Sequence, residues 1–300
     1  MLKIAHHPIY NHPLKVGHRF PMEKYDMLPQ QLVLEGTCTK DNFFEPEIPN
    51  NKYFFSVHEP EYFFDLLNIT LSAKEARKIG FPLSETLIER EMIIADGTIK
   101  ASEFALENGI AMNIAGGTHH AFSNRGEGFC MLNDQAIGAK YLQSKGLVKK
   151  VLIVDLDVHQ GNGTASIFEN DDSVFTFSMH GKHNYPFHKE TSNLDIALEN
   201  DTDDETYLSI VKEILPKLIQ KEKPDFIYYL CGVDVLASDK LGKLGLTIKG
   251  CKQRDEIVLQ SCFKNNIPVM CSMGGGYSED INTIVEAHAN TFRVAQEIYF

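Results

Sequence analysis

Five short apolar runs constrain this chain more than any other feature. Ile110–Ala115, Val151–Val154, Val174–Met179, Phe226–Leu230 and Pro268–Ser272 are rich in β-branched and aromatic residues, and each is too short for a typical helix. Val151–Val154 is a continuous β-branched and leucine run, the pattern of a strand covered on both faces. Helical spacing separates the runs. One helix is expected from Asn133 to about Ser144, opened by Asn-Asp, and a short one from Thr164 to Glu169. A longer one should run from Asp203 to Lys221 with an irregularity at Pro216, and others from Lys252 to Lys264 and from Glu279 to about Ile298. This alternation specifies an α/β fold with a mostly parallel sheet and helices on both faces. The first hundred residues, broken at Pro46, Pro49, Pro60 and Pro82, read as short helices and irregular segments wrapped around that sheet. With no internal repeat and no linker, residues 1–300 read as one domain, long enough for a full core.

The residues just beyond the runs carry the chemistry. His119-His120 comes after the first, Asp155-Leu156-Asp157-Val158-His159 after the second, Asp234 after the fourth and Gly274-Gly275-Gly276-Tyr277 after the fifth. Parallel sheets bind ligands outside the carboxyl ends of their strands. Asp157 and His159, two residues apart on extended backbone, project to one side. With Asp234 they make a one-histidine, two-carboxylate set suited to a catalytic zinc or iron ion. Taken alone, Asp-x-Asp-x-His is as compatible with a solvated loop, and adjacent histidines are commonly surface or packing residues. A neutral imidazole here could take a proton from water and pass it to a leaving amine, and Asp155 could fix one imidazole's tautomer. Tyr277 could donate to a developing oxyanion, although a buried tyrosine is more often core. The glycine run is not a phosphate loop, because no Lys-Ser/Thr comes after it. The four groups together are far more specific than any one.

Composition narrows the rest. A net charge of -12 argues against a protein that grips the phosphate backbone of nucleic acid and permits attraction to cationic substrates. The six cysteines show no Cys-x-x-Cys spacing, and several sit in apolar runs, as buried thiols do in a reducing compartment. No signal-peptide core and no membrane-spanning run is seen, so a soluble, cytoplasmic protein is expected.

These motifs resemble the zinc-dependent histone deacetylase family. The matching segments are Gly116-Gly117-Thr118-His119-His120-Ala121, Gly128-Phe129-Cys130-Met131-Leu132-Asn133-Asp134, Asp155 through Gly163, Gly232-Val233-Asp234 and Gly274 through Tyr277. Gln160, Asn162, Asn184-Tyr185-Pro186, Leu241-Gly242 before Leu246, and Arg254-Asp255-Glu256 resemble the class IV branch and its bacterial relatives, as does the opening His7-Pro8 with Gly17 through Met22. The resemblance implies an arginase-like three-layer fold around a central eight-stranded sheet. It implies Asp157, His159 and Asp234 as ligands of Zn2+, with Fe2+ an alternative in the same site. It implies His120 as general base and acid, His119 as its electrostatic partner backed by Asp155, and Tyr277 as the group polarising the acyl carbonyl. Gly128, Phe129 and Tyr185 would form the tunnel for an acyl-lysine. A structural K+ would sit on backbone around Asp155, Asp157 and His159 with Ser178 and Met179. The implied activity is hydrolysis of acetyl or longer fatty acyl groups from lysine side chains, the latter needing a deep apolar pocket. One departure matters. Many members carry aspartate where this chain has Asn162, so the pKa of His120 should be lower here.

Rival readings stay open at this point. A binuclear manganese ureohydrolase shares the fold but wants a second Asp-x-Asp pair, and Asp234 is followed by Val235-Leu236. The same site could serve an acetylpolyamine or another small amide. A scaffold that binds acyl groups without turnover would usually have lost Tyr277 or a ligand, and this chain keeps both.

Overall fold

A computed structural model describes residues 1–300. Its strands are β1 (Lys3–Ala5), β2 (Phe43–Phe44), β3 (Ile110–Asn113), β4 (Val151–Asp155), β5 (Val174–Gly181), β6 (Leu194–Leu198), β7 (Phe226–Leu230) and β8 (Val269–Ser272). They form one eight-stranded sheet in the order β2-β1-β3-β8-β7-β4-β5-β6, and every neighbouring pair is parallel. The five apolar runs supply its central strands, buried along their whole length.

The helices are α1 (Lys24–Leu34), α2 (Pro60–Leu67), α3 (Ala73–Ile79), α4 (Glu85–Asn108), α5 (Asp134–Ser144), α6 (Asn162–Ile167), α7 (Asp204–Glu222), α8 (Ile248–Lys264) and α9 (Ile281–Tyr299). Adjacent residues of β7 show that they lie in two layers. The Tyr228 hydroxyl meets Ser102 of α4 at 2.8 Å, whereas the Tyr229 hydroxyl donates to Asp255 of α8 at 2.6 Å. Consecutive strand side chains point to opposite faces, so α4 and α8 cover opposite faces of the sheet. α5 packs on α4, while α7, α8, α9 and α1 pack in succession on the other side. This is the three-layer α/β architecture expected.

The structure corrects several expectations. The first hundred residues contribute the edge strand β2, its neighbour β1 and most of the 24-residue α4, the longest helix in the chain, not only short segments. α4 is capped by Ser84, whose side chain accepts from Leu87 N–H, and ends at Gly109 in the left-handed region. It is buried on most sides, Arg90, Glu91 and Asp96 included, so it shows no single apolar stripe to read. α6 begins at Asn162 rather than Thr164, and α7 continues through Pro216. Pro216 is exposed, where water can satisfy the carbonyl its missing N–H leaves free. β3 stops at Asn113, whose side chain then accepts from Ala115 N–H at 3.1 Å. β6 is an edge strand outside the five runs, only partly buried, and its sequence carries no continuous apolar signal. No helix is both long and apolar enough to cross a membrane. All six cysteines are buried and unpaired.

Register decides where the chemistry lands. Asn113, Ser272, Leu230 and Asp155 are successive partners across β3, β8, β7 and β4. The residues leaving those four strands therefore emerge side by side at one edge of the sheet.

Candidate active site

At that edge Asp157, His159 and Asp234 place their ligating atoms within 4.8 Å of one another, all buried. His159 Nδ1 lies 3.1 Å from Asp157 Oδ1 and 3.0 Å from Asp234 Oδ2. Backbone amides hold the outer carboxylate oxygens: Gly275 N–H donates to Asp157 Oδ2 at 2.9 Å and Val158 N–H to Asp234 Oδ1 at 3.0 Å. The glycines are required by space. A Cβ on Gly232 would strike Asp157 Oδ2, and one on Gly275 would strike Asp234 Oδ2.

The charges of this trio call for a cation. Burial and then the neighbouring Asp157 push the Asp234 carboxyl up to about 7. Burial also works against ionisation of Asp157, but the bond from His159 and the nearby imidazoles hold it well below the usual carboxylate range. Burial alone would depress His159, yet its bonds to Asp157 and Asp234 raise it to about 10. His159 is thus held as a cation between two buried carboxylates. A divalent ion in its place would neutralise both, and the mixed nitrogen and oxygen donors suit zinc.

Two further imidazoles flank this trio, with ring centroids 4.1 Å apart. His119 Nδ1 meets Asp155 Oδ2 at 2.7 Å, and His120 Nδ1 meets Asn162 Oδ1 at 2.6 Å. Burial pulls both pKa values down. For His119 the Asp155 carboxylate outweighs burial and the net shift is upward. For His120 burial adds to repulsion from His119 and His159, the neutral amide compensates little, and the shift is strongly downward.

The remaining predicted residues close around these. Tyr277, half-buried, is fixed by its backbone N–H donating to Asp239 Oδ2 at 2.6 Å, and its ring lies 6.4 Å from His159. Phe129 is held with φ +68° by Gly128 N–H and Phe129 N–H donating to Lys78 and Ile79 carbonyls at 3.0 and 2.7 Å. Opposite, Tyr185 packs edge-on against His120 at 4.9 Å and donates its hydroxyl to Glu127 at 2.7 Å. Asp155 and Ser178, two of the residues named for a monovalent ion, are register partners of β4 and β5, with Met179 next in its strand, whereas Asp157 and His159 lie beyond the end of β4.

Two cavities meet here. The outer one, about 370 Å3, runs between Phe129 and Tyr185 to His120, His159 and Tyr277. The inner one, about 40 Å3, lies behind them and is lined by Phe20, Tyr25, Arg90, Ile94 and Gly116–Thr118. Arg90 brings to that inner wall a buried Nη2 with no hydrogen-bond partner.

Several supporting residues escaped sequence reasoning. Arg254, fully buried, donates to the carbonyls of Leu156, Gly232 and Cys231 at 3.1, 2.6 and 3.2 Å, tying together the segments that carry Asp157 and Asp234. Asp239 accepts from Leu241 and Gly242 as well as Tyr277. Lys24, also fully buried, reaches the Gly274 carbonyl at 3.4 Å and sits 5.6 Å from the Tyr277 ring, and burial lowers it to about 8. Arg254 stood out only as part of a resembling motif. The other two gave no local signal.

Comparison with known proteins agrees with this architecture. The histone deacetylase domain matches residues 18–292. An uncharacterized protein of Picosynechococcus sp. is 43% identical over 99% of both chains. Histone deacetylase clr6 of Schizosaccharomyces pombe is 34% identical, over 87% of this chain and 69% of its own length. Among solved structures, an HDAC homolog complexed with SAHA superposes with a TM-score of 0.84 at 23% identity, covering 97% of this chain and 82% of that one. By sequence and by fold, this chain belongs to the histone deacetylase family.

Proposed function

We propose that the protein is a zinc-dependent lysine deacylase of the class IV type that removes acetyl or comparably short acyl groups. The observation that carries this reading is the facing of a buried Asp157–His159–Asp234 trio by two imidazoles with unlike partners, a carboxylate and an amide. A bound zinc ion would supply a Lewis acid that makes water nucleophilic and polarises the acyl carbonyl. Asn162 offers its oxygen to His120, so His120 Nδ1 carries the hydrogen and Nε2 is left as the base. With its depressed pKa, His120 is neutral and ready to accept a proton from water, then to deliver it to the departing amine. His119, held by Asp155, supplies a neighbouring charge and fixes the geometry. The Tyr277 hydroxyl donates to the oxyanion. Phe129 and Tyr185 confine the lysine stem, and K+ on the Asp155–Ser178 ladder would stiffen the strand ends.

The inner cavity supports a short acyl group. At about 40 Å3, where one water needs roughly 10–15 Å3, it takes only a few small groups, so an acetyl methyl fits and a long fatty chain does not without opening the wall. Arg90 would meet a carboxylate product there. A ureohydrolase reading finds no support, because Asp155 is engaged with His119 and Asp239 with three backbone amides, leaving no second carboxylate set.

The test is deacylation by zinc-loaded protein of one lysine peptide carrying either an acetyl or a long fatty acyl group, with His120→Ala as control. Preference for acetyl, abolished in the variant, is expected. Preference for the fatty acyl would refute the cavity argument. Silence on both, with zinc bound, would refute the deacylase reading.

A further inference from the structure

The mouth of the outer cavity carries a charge opposite to that of the whole molecule. The chain has 41 acidic residues against 29 lysines and arginines. Yet the wall of this cavity contains the cations Arg19, Lys78 and Lys243, with His183 beside them, all exposed, and no carboxylate. Each is anchored to the tunnel or its rim. The Arg19 guanidinium lies 5.2 Å from the Phe129 ring centroid. Lys78 accepts the Gly128 N–H on its carbonyl at 3.0 Å, and Lys243 Nζ donates to the His183 carbonyl at 3.2 Å.

The carboxylates that pair with these rim groups do not cancel their charge. Glu127 sits behind Tyr185 and is shared by Lys78 at 3.6 Å and Arg125 at 3.0 Å. Glu199 is shared by Lys182 at 2.6 Å and His183 at 3.4 Å. Neither Arg19 nor Lys243 forms an ion pair, so the rim keeps a surplus of positive charge. Glu23 and Glu279 line an adjoining cavity that shares Arg19 and Tyr277 with this one, but Lys15 and Lys240 line it too and match them in number. Acidic residues farther off than about 8 Å are largely screened at physiological salt.

We infer that the acylated amine entering this tunnel belongs to an anionic substrate: an acyl-lysine flanked in its own chain by Asp or Glu. This rests on the deacylase reading of the site. A peptide that threads one lysine between Phe129 and Tyr185 must lay its neighbouring residues on Arg19, Lys78 and Lys243. Acidic neighbours meet complementary charge there. Lysine-rich tails and acylpolyamines, the cationic substrates that the net charge alone would favour, meet repulsion.

The experiment uses three substrates with the same acetyl-lysine: one flanked by Glu, one flanked by Lys, and a capped acetyl-lysine amide without charge. On zinc-loaded protein at low ionic strength, kcat/KM for the Glu peptide should exceed that for the Lys peptide by roughly tenfold, a gap that shrinks as salt is added. In an Arg19→Glu/Lys243→Glu double variant the ratio should invert, and a ratio within one preparation is insensitive to loss of active protein. A wild-type ratio of one or below overturns the inference, while turnover of the uncharged amide would leave the deacylase reading standing. Absence of turnover on all three would remove that reading, and fluorescence anisotropy of the two charged peptides then decides. Tighter, salt-sensitive binding of the Glu peptide supports an anion-selective mouth. Equal or weaker binding overturns it.

Discussion

Replacing Asn162 by Asp should move the acidic limb of the pH–rate profile upward by about 1–2 pH units, and the structure contains its own control. His119 and His120 are equally buried, at 5% and 4% exposure, and each has one side-chain partner on Nδ1 at nearly the same distance. The partner's charge differs, and the two pKa values shift in opposite directions. A unit charge about 4 Å from an imidazolium is worth about 4 kcal/mol at an effective dielectric near 20. Desolvation of the new buried carboxylate opposes it by an amount of the same order. A net of roughly 1.5–3 kcal/mol corresponds to about 1–2 pKa units upward on His120. A base is inactive while protonated, so raising its pKa carries the acidic limb to higher pH. A bound metal lowers both forms alike, so the difference between them survives. The assay is kcat/KM against pH for both proteins on an acetyl-lysine peptide. Titration of isotope-labelled histidine by NMR reports the same shift without turnover. An unmoved limb with a shifted NMR titration would show that His120 is not the base. If neither moved, the electrostatic reasoning itself would be refuted.

The same geometry sets other outcomes. Tyr277→Phe should lower kcat by about 10²–10³ with little change in KM, the effect of removing one oxyanion donor; a loss confined to KM would make the phenol a binding group instead. Asp234→Asn should abolish stoichiometric zinc measured by elemental analysis, and zinc at a hundred times its Kd should stabilise the wild type by about 2.7 kcal/mol in thermal unfolding but not the variant. Arg254→Leu leaves Asp255 buried without its partner and frees three carbonyls, so urea unfolding should register a loss of about 3–5 kcal/mol; a loss below about 1 kcal/mol would show that the pair contributes little. Ile94→Ala enlarges the inner cavity and should raise the butyryl-to-acetyl ratio of kcat/KM, whereas an unchanged ratio would mean that the acyl group does not face Ile94.

Much of the fold was legible because its signals are local. A parallel strand covered on both faces is mostly apolar, so β3, β4, β5, β7 and β8 stand out as short runs despite Asn113 in β3 and Thr176 and Ser178 in β5, and their register carries the groups beyond them to one edge. The convergence of His119, His120, Asp157, His159, Asp234 and Tyr277 was readable for that reason. α4 was not, because a helix surrounded by protein shows no stripe. Nor could the sequence name the partners of buried charges. Arg254 meets carbonyls 22 to 98 positions away, and Lys24 meets one 250 positions away. The size of the inner cavity and the sign of charge at the mouth belong to the same class. Composition counts every charge equally, whereas a substrate feels only those that packing brings within a Debye length of the tunnel. By itself the sequence determined the five central strands and the groups at their edge; tertiary structure decided the outer strands and what fits between those groups, because volume and field depend on segments that only folding brings together.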